Sequence, residues 1–516
     1  MADVTTANDD KITGDILKVA GVVVLGAIMS ILDITVVNVA LPTFETTFGS
    51  ADHPLAYSTV AWTVTGYTLA LATVIPLTGW AADRFGTKRL YMTAVALFTI
   101  GSVLCASAWS INALIGFRVL QGLGGGMLMP LGMTIMTKAA GPKRMGRLMA
   151  ILGVPMLLGP IGGPILGGWL IDAASWHWIF LINVPIGIGA LIYAQLVLPS
   201  DNAQPSESFD FVGMLMMSPG LALFLFGVSS IPEKGTLTAP KVWIPALIGA
   251  VLVVTFIVYS FKPKHPLLDL RLFKNRNLAI SLLTMFLFAV AFFGGLLLVP
   301  TYFQQIRAES VLMAGLLVAP QGLGAMVTMP IAGALTDKFP VGRIVPFGLL
   351  GILIGMAGLT QIHADTPYPE LIAFLFIMGL GMGGTMMPIM TSALKTLTNA
   401  EVARGSTLMN ITQQIASSVG IAVMSVILTN GLKDSKLAGP AIAATHDPSL
   451  VQKIGGPAIV QKGLQEAAAA FAHTYWVALA LVAVTVVSSL FLPRKKEEAH
   501  LLDDEQEEAP PAVVMH

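Results

Sequence analysis

Charge is what this chain has least of: only 11% of its 516 residues are charged, while 55% are hydrophobic and the mean hydropathy is +0.78. A soluble globular domain of this length does not show that balance, so the chain reads as a polytopic membrane protein. Its 29 basic and 29 acidic residues cancel, and nothing in the overall charge points to nucleic acid or an acidic partner. Cysteine is nearly missing. Cys105 alone, inside an apolar run, excludes an internal disulfide. No His, Cys and carboxylate group at ligand spacing suggests a metal, and no cofactor is implied. The glycine-rich runs lack the G-x-x-x-x-G-K-S/T phosphate loop, and the apolar segments hold no nucleophile or metal constellation that would make an enzyme.

What the chain has is long apolar segments. With a window of roughly 20 residues they fall near 19-41, 58-82, 90-109, 111-137, 146-171, 178-198, 211-230, 242-261, 277-303, 312-336, 343-362, 370-394, 402-430 and 473-493, which is fourteen. The 51 glycines and 26 methionines suit closely packed transmembrane helices with an adaptable apolar lining. Lys and Arg segregate: 21 lie on one side of these segments and 7 on the other, with Arg118 set apart inside the membrane. Basic residues mark the cytoplasmic side, so both termini are expected there, which requires an even span count. The expected fold is an all-α bundle of fourteen transmembrane helices.

The first apolar stretch, Val19 to Pro42, carries one carboxylate, Asp33, near its middle. It is too long for a signal peptide and lacks a cleavage site, so it reads as a retained helix. A mid-membrane carboxylate costs a few kcal/mol or more unless it faces a polar cavity or a partner, and by default marks an ion or substrate pathway. The alternative is a carboxylate satisfied by neighbouring helices. In the fourth span Arg118, Gln121 and Gly122 share a face because they are three and four apart. Arg118 is the only mid-membrane cation, although a side chain snorkelling to the external boundary is the competing reading.

The chain repeats itself. PLTGWAADRFGTKR from Pro76 matches PIAGALTDKFPVGR from Pro330 at an offset of 254, and GGMLMP ending at Pro130 matches GGTMMP ending at Pro388 at an offset of 258. Two six-helix halves, 19-198 and 265-493, therefore flank a linker and two inserted helices at 199-264, with short cytoplasmic segments at 1-18 and 494-516. Asp33 projects onto Leu287 and Arg118 onto Phe376, so the intramembrane charges belong to the N-terminal half alone. That half is expected to hold the ion-coupling machinery.

The loop Gly79 to Arg89, with Gly79, Asp83, Arg84, Gly86, Lys88 and Arg89, is echoed by Asp337, Lys338 and Arg343. Gly79 permits close helix approach, and Asp83 is placed to cap a turn or to pair across to a basic residue and lock the cytoplasmic side. A plain solvated loop is the alternative. The pattern resembles the G-x-L-A-D-R-x-G-x-K/R-K/R motif of the major facilitator superfamily, with Ala81 in place of the usual Leu. Span five stacks Gly159, Gly163 and Gly167 on one stripe, suited to backbone-to-backbone helix contact. With Pro164 and Gly168 it resembles the family's antiporter motif, found in exporters. LDITVVNVALP from Leu32 and WHWIFLINVPIG from Trp176 resemble signatures of the fourteen-span drug:proton antiporters of the EmrB/QacA type, with His177 where an Arg is common.

That resemblance implies a major facilitator fold and assigns the R-x-x-Q-G pattern of Arg118, Gln121 and Gly122 to proton coupling, with Asp33, by its mid-membrane position, as the expected proton carrier. It implies export of lipophilic small molecules from a bacterial inner (plasma) membrane, with protons and the lipid bilayer as the other partners. A dedicated exporter of one siderophore, lipid or metabolite would use the same parts, and a periplasmic adaptor stays open. Asn38, Gln121, Gln304, Asn410, Gln413 and Gln414 are the candidate polar lining of a substrate cavity; for the last three, which share a face, interhelical hydrogen bonding is the reading and a substrate-facing patch the alternative. The external loop 432-472 reads as turn-rich and mobile, and the acidic tail 494-516 as disordered.

Overall fold

A computed structural model describes residues 12–49, 55–141, 144–199, 208–231, 236 and 238–495. The described residues form helices and no strands, as backbone without water to bond requires of a chain this apolar. Fourteen long helices follow in order: α1 Gly14–Phe48, α2 Trp62–Phe85, α3 Thr87–Ala106, α4 Ile111–Ala140, α5 Met145–Ala173, α6 Asn183–Val197, α7 Phe211–Ser229 and α8 Pro240–Tyr259, then α9 Arg276–Gln305, α10 Val311–Lys338, α11 Val341–Leu359, α12 Tyr368–Lys395, α13 Val402–Asp434 and α14 Pro457–Ser489. Thirteen helices among the described residues, α6 being taken with the short helix Trp178–Leu181 before it, are long and apolar enough to cross a membrane. The remaining one, α5, is 29 residues long, and several of its side chains, Pro164 included, lie outside the described residues. Most of 1-18 and all but the first residues of 494-516 also lie outside them.

Helix starts are set by local chemistry. The Ser110 and Ser310 side chains accept from the Ala113 and Met313 amides at the starts of α4 and α10. Gly86, at φ 84°, is the one residue between α2 and α3, a conformation that side chains rarely adopt.

The first six helices pack as the last six do. α1 lies on α5 as α9 lies on α13, α2 on α4 as α10 on α12, and α3 on α4 and α6 as α11 on α12 and α14. The halves meet along two seams, α2 with α13 and α5 with α10. The inserted pair α7 and α8 pack on each other, and α7 lies against both α2 and α13. Asp210 ties the pair down: it accepts from the Gly213 amide at 2.8 Å, the Tyr259 hydroxyl at 3.0 Å and the Leu267 amide at 3.0 Å.

The segment 432-472 departs from the turn-rich expectation. α13 continues to Asp434, short helices cover Ala438–His446 and Leu450–Ile454, and α14 begins at Pro457. Ala438, Ala441 and Ala444, spaced by three, are buried, and the Ser435 hydroxyl donates to Glu466 at 2.5 Å. The alanine spacing outweighs the Gly, Pro and Asp punctuation around it.

Candidate functional site

Asp33 is the twentieth residue of the 35-residue α1, so the helix carries it far from either end. Its side chain is fully buried and forms an ion pair with Arg118 of α4, which is buried to the same degree. The two residues singled out from sequence therefore meet. Around them the other helices of the half supply partners. Asp33 Oδ1 accepts from Gln121 Nε2 at 2.8 Å and from Asn183 Nδ2, at the start of α6, at 3.2 Å. Arg118 donates through Nη1 to Gln121 Oε1 at 2.7 Å and through Nε to the Thr63 carbonyl of α2 at 3.0 Å. Its guanidinium lies 4.2 Å from the centre of the Tyr67 ring, and Tyr67 in turn shares a hydrogen bond with Ser30. Ser102 of α3 accepts from Gln121 at 2.8 Å.

This arrangement holds a charge pair out of water by giving both carboxylate oxygens and most guanidinium protons a partner, the condition under which burial of ions is tolerable. Removing one member would leave the other charged and stranded, at a cost of about 3–5 kcal/mol. Gln121, expected on the cavity wall, is instead 0% exposed. Its amide is used entirely within the network, bridging Asp33, Arg118 and Ser102. Thr63, Tyr67, Ser102 and Asn183 escape a reading of charge alone. Asn183 is the signal that was available, because it lies in the WHWIFLINVPIG stretch.

The glycines of α5 seat the opposite side of α1. A Cβ at Gly159 would strike Ile31, at Gly163 it would strike Thr35, and at Gly167 it would lie 3.1 Å from Val36. The stripe thus brackets the turn that carries Asp33. Gly168 is different: a Cβ there meets nothing within 4 Å. His177 stacks on Trp176 at 3.9 Å between ring centres and contacts the Ser175 hydroxyl at 3.2 Å.

The end of the molecule that holds Arg84, Lys88 and Arg89 is closed by two related ion pairs between the halves. Asp83 at the end of α2 accepts from Arg404 Nε of α13 at 3.2 Å. Asp337 at the end of α10 accepts from Arg147 Nε of α5 at 2.9 Å and from the Gly146 amide at 2.8 Å. The glycines of the repeat make these approaches: Gly79 lies against Arg404 and Thr407, and Gly333 against Gly146. Of the other loop residues, Lys88 donates to the Gln195 and Leu198 carbonyls at 2.9 and 2.7 Å, tying down the end of α6. Arg84 is half-buried, while Arg89, Lys338 and Arg343 are exposed.

The remaining polar candidates scatter. Asn410 of α13 donates to Met133 Sδ of α4 at 3.2 Å and to the Ser406 carbonyl at 2.8 Å, so it joins the halves. Gln304, Gln413 and Gln414 are half-buried, and Asn38 is exposed five residues beyond Asp33.

The profile of the Major Facilitator Superfamily matches residues 23–421. The Multidrug resistance protein B homolog of Mycobacterium tuberculosis (strain H37Rv) is 46% identical over 505 residues, covering 94% of this chain and 92% of its own. The Multidrug export protein EmrB of Escherichia coli K12 is 30% identical over 410 residues, 79% of each chain. Among solved structures, the proton:xylose symporter XylE superposes with a TM-score of 0.59 at 15% identity, covering 95% of this chain and 98% of that one. The human organic anion transporter MFSD10 does so with a TM-score of 0.60 at 15% identity, covering 91% and 100%. The repeated halves, the paired ion pairs between them and these matches lead to one statement: the chain is a multi-pass membrane protein of the major facilitator superfamily.

Proposed function

We propose that this protein is a multidrug efflux transporter of a bacterial inner membrane, exporting lipophilic compounds in exchange for protons by alternating access of its two halves. Fourteen spans with both termini in the cytoplasm fit the segregation of Lys and Arg. The ion-paired end of the molecule is then the cytoplasmic gate, drawn here in its closed state. The names of the relatives, a multidrug resistance protein homolog and a multidrug export protein, support the cargo class.

The observation that carries proton coupling is the occluded Asp33–Arg118 pair. Protonation of Asp33 removes its charge, so the ion pair and the donors from Gln121 and Asn183 lose their hold and α1 is released from α4 and α6. The proton can then be exchanged for cargo as the halves rock. One elementary charge moved through 100 mV is worth about 2.3 kcal/mol, close to a fifty-fold concentration ratio. A membrane pH gradient adds to that.

The test is dye efflux in vesicles under an imposed pH jump, with wild type and Asp33→Asn at matched expression. The wild type is expected to respond and Asp33→Asn to lose at least tenfold of the pH-driven rate. Normal transport by Asp33→Asn would remove the carboxylate from the coupling role, and an unresponsive wild type would overturn proton antiport.

A further inference from the structure

The two seams between the halves are built differently. Along α2 and α13 the inserted helix α7 covers the join over its height: Phe209, just before α7, packs on Trp80 with ring centres 4.4 Å apart, and Phe226 stacks on Trp62 at 5.5 Å near the other end. Between them Ile75 of α2, Leu221 of α7 and Ile411 of α13 share one apolar cluster, and Ala422 of α13 joins another with Val228. Among the described residues, α7 and α8 make no comparable set of contacts with α5 or α10.

That second seam is tight at the ion-paired end and open at the other. Gly333 is in backbone contact with Gly146, and a Cβ on it would lie 3.1 Å from the Ala150 Cβ. Gly168 stands five full turns beyond Ala150 and Gly315 five full turns before Gly333, so each lies on the same face of its helix, about 27 Å along it. At both positions an added Cβ meets nothing within 4 Å. The two helices that touch at one end thus have open space beside these glycines at the other.

We propose that lipophilic cargo leaves the central space sideways into the bilayer through the α5–α10 seam, and that the inserted pair α7–α8 bars the α2–α13 seam to it. Exposed Ile165, Trp169, Leu312 and Leu316 stand beside the two glycines, and the cargo is a membrane-partitioning molecule without a fixed set of polar contacts. This rests on the export reading, and the two fail separately.

The native chain serves as background for the test, because its one cysteine, Cys105, is buried. Gly168→Cys and Gly315→Cys are placed where the new side chain meets open space, and Val251→Cys, on the 56%-exposed outer face of α8, is the lipid-facing control. Each is reacted with a small methylthiosulfonate or a bulky apolar maleimide, and efflux of a membrane-partitioning dye and of a water-soluble cationic dye is measured. The bulky label at either glycine position is expected to slow the membrane-partitioning dye at least tenfold, with the small label, the water-soluble dye and labelled Val251→Cys near the unlabelled rate. Unchanged efflux of the membrane-partitioning dye overturns the proposal. Equal loss of both dyes also overturns it, since the label then jams the rocking of the halves. Absence of efflux in the unlabelled native chain overturns the export reading instead.

Discussion

At the level of single residues, the pair Asp33 and Arg118 was legible because charge is so rare in these apolar segments that each such residue stands out. Of their partners, Gln121 was legible on the Arg118 face, and the others were less so. Asn183 and Ser102 are small polar residues of a kind that commonly satisfy themselves within membrane helices, and Thr63 contributes only a backbone carbonyl. Three-dimensional proximity alone distinguishes Ser102 and Thr63, whereas Asn183 also lies in the WHWIFLINVPIG stretch. Asn183 is the informative one to change, because it donates to the same carboxylate oxygen as Gln121 and reaches Ser102 at 3.4 Å. Losing one hydrogen bond to a charged group costs about 1.5–3 kcal/mol. Asn183→Ala is therefore expected to fold and insert normally and to lower pH-driven efflux about tenfold or more, with Gln121 still holding the carboxylate. Efflux at the wild-type rate would reduce Asn183 to packing.

Among the helices, the glycine stripe of α5 was legible as a close-packing face, but not the identity of the helix it receives. Spacing tells that Gly159, Gly163 and Gly167 align; only the fold tells that they align on Ile31, Thr35 and Val36, around the carboxylate of α1. The consequence is steric and specific. A side chain at Gly163 collides with Thr35, two residues from Asp33, and pushes α1 off its seat. Gly163→Leu is expected to abolish efflux and to lower the thermal stability of the purified protein in detergent. At Gly168, where a Cβ meets nothing within 4 Å, an Ala substitution is expected to leave both unchanged. Similar loss at both positions would contradict the seating role. The segment 432-472 was misread for the opposite reason: its turn-forming residues are conspicuous, whereas the three-residue spacing of its buried alanines is short and easily missed.

Across the whole molecule, the sequence repeat foretold two halves, and its offset of 254 already related Gly79 to Gly333 and Asp83 to Asp337. Pairing across to a basic residue was one reading of Asp83, but the repeat did not reveal which Arg receives each acid. Arg147 and Arg404 sit at equivalent places, the first turns of α5 and α13, so the proposed gate is one ion-pair motif used twice, once on each seam. Two partly buried ion pairs of this kind, one on each seam, are each worth on the order of 1 kcal/mol, so their effects should add. Asp83→Asn or Asp337→Asn alone should then shift the balance between closed and open gate about fivefold, and the double variant about thirtyfold. The shift is read from the maleimide reactivity of a cysteine at Ala150, which is 3% exposed while the gate is closed. Gains from both single variants that add in the double variant would mean that both seams break together, as one rigid rotation of the halves. A gain confined to Asp337→Asn, with Asp83→Asn silent at Ala150, would mean that the seams open independently and that α5–α10 can part while α2–α13 stays joined.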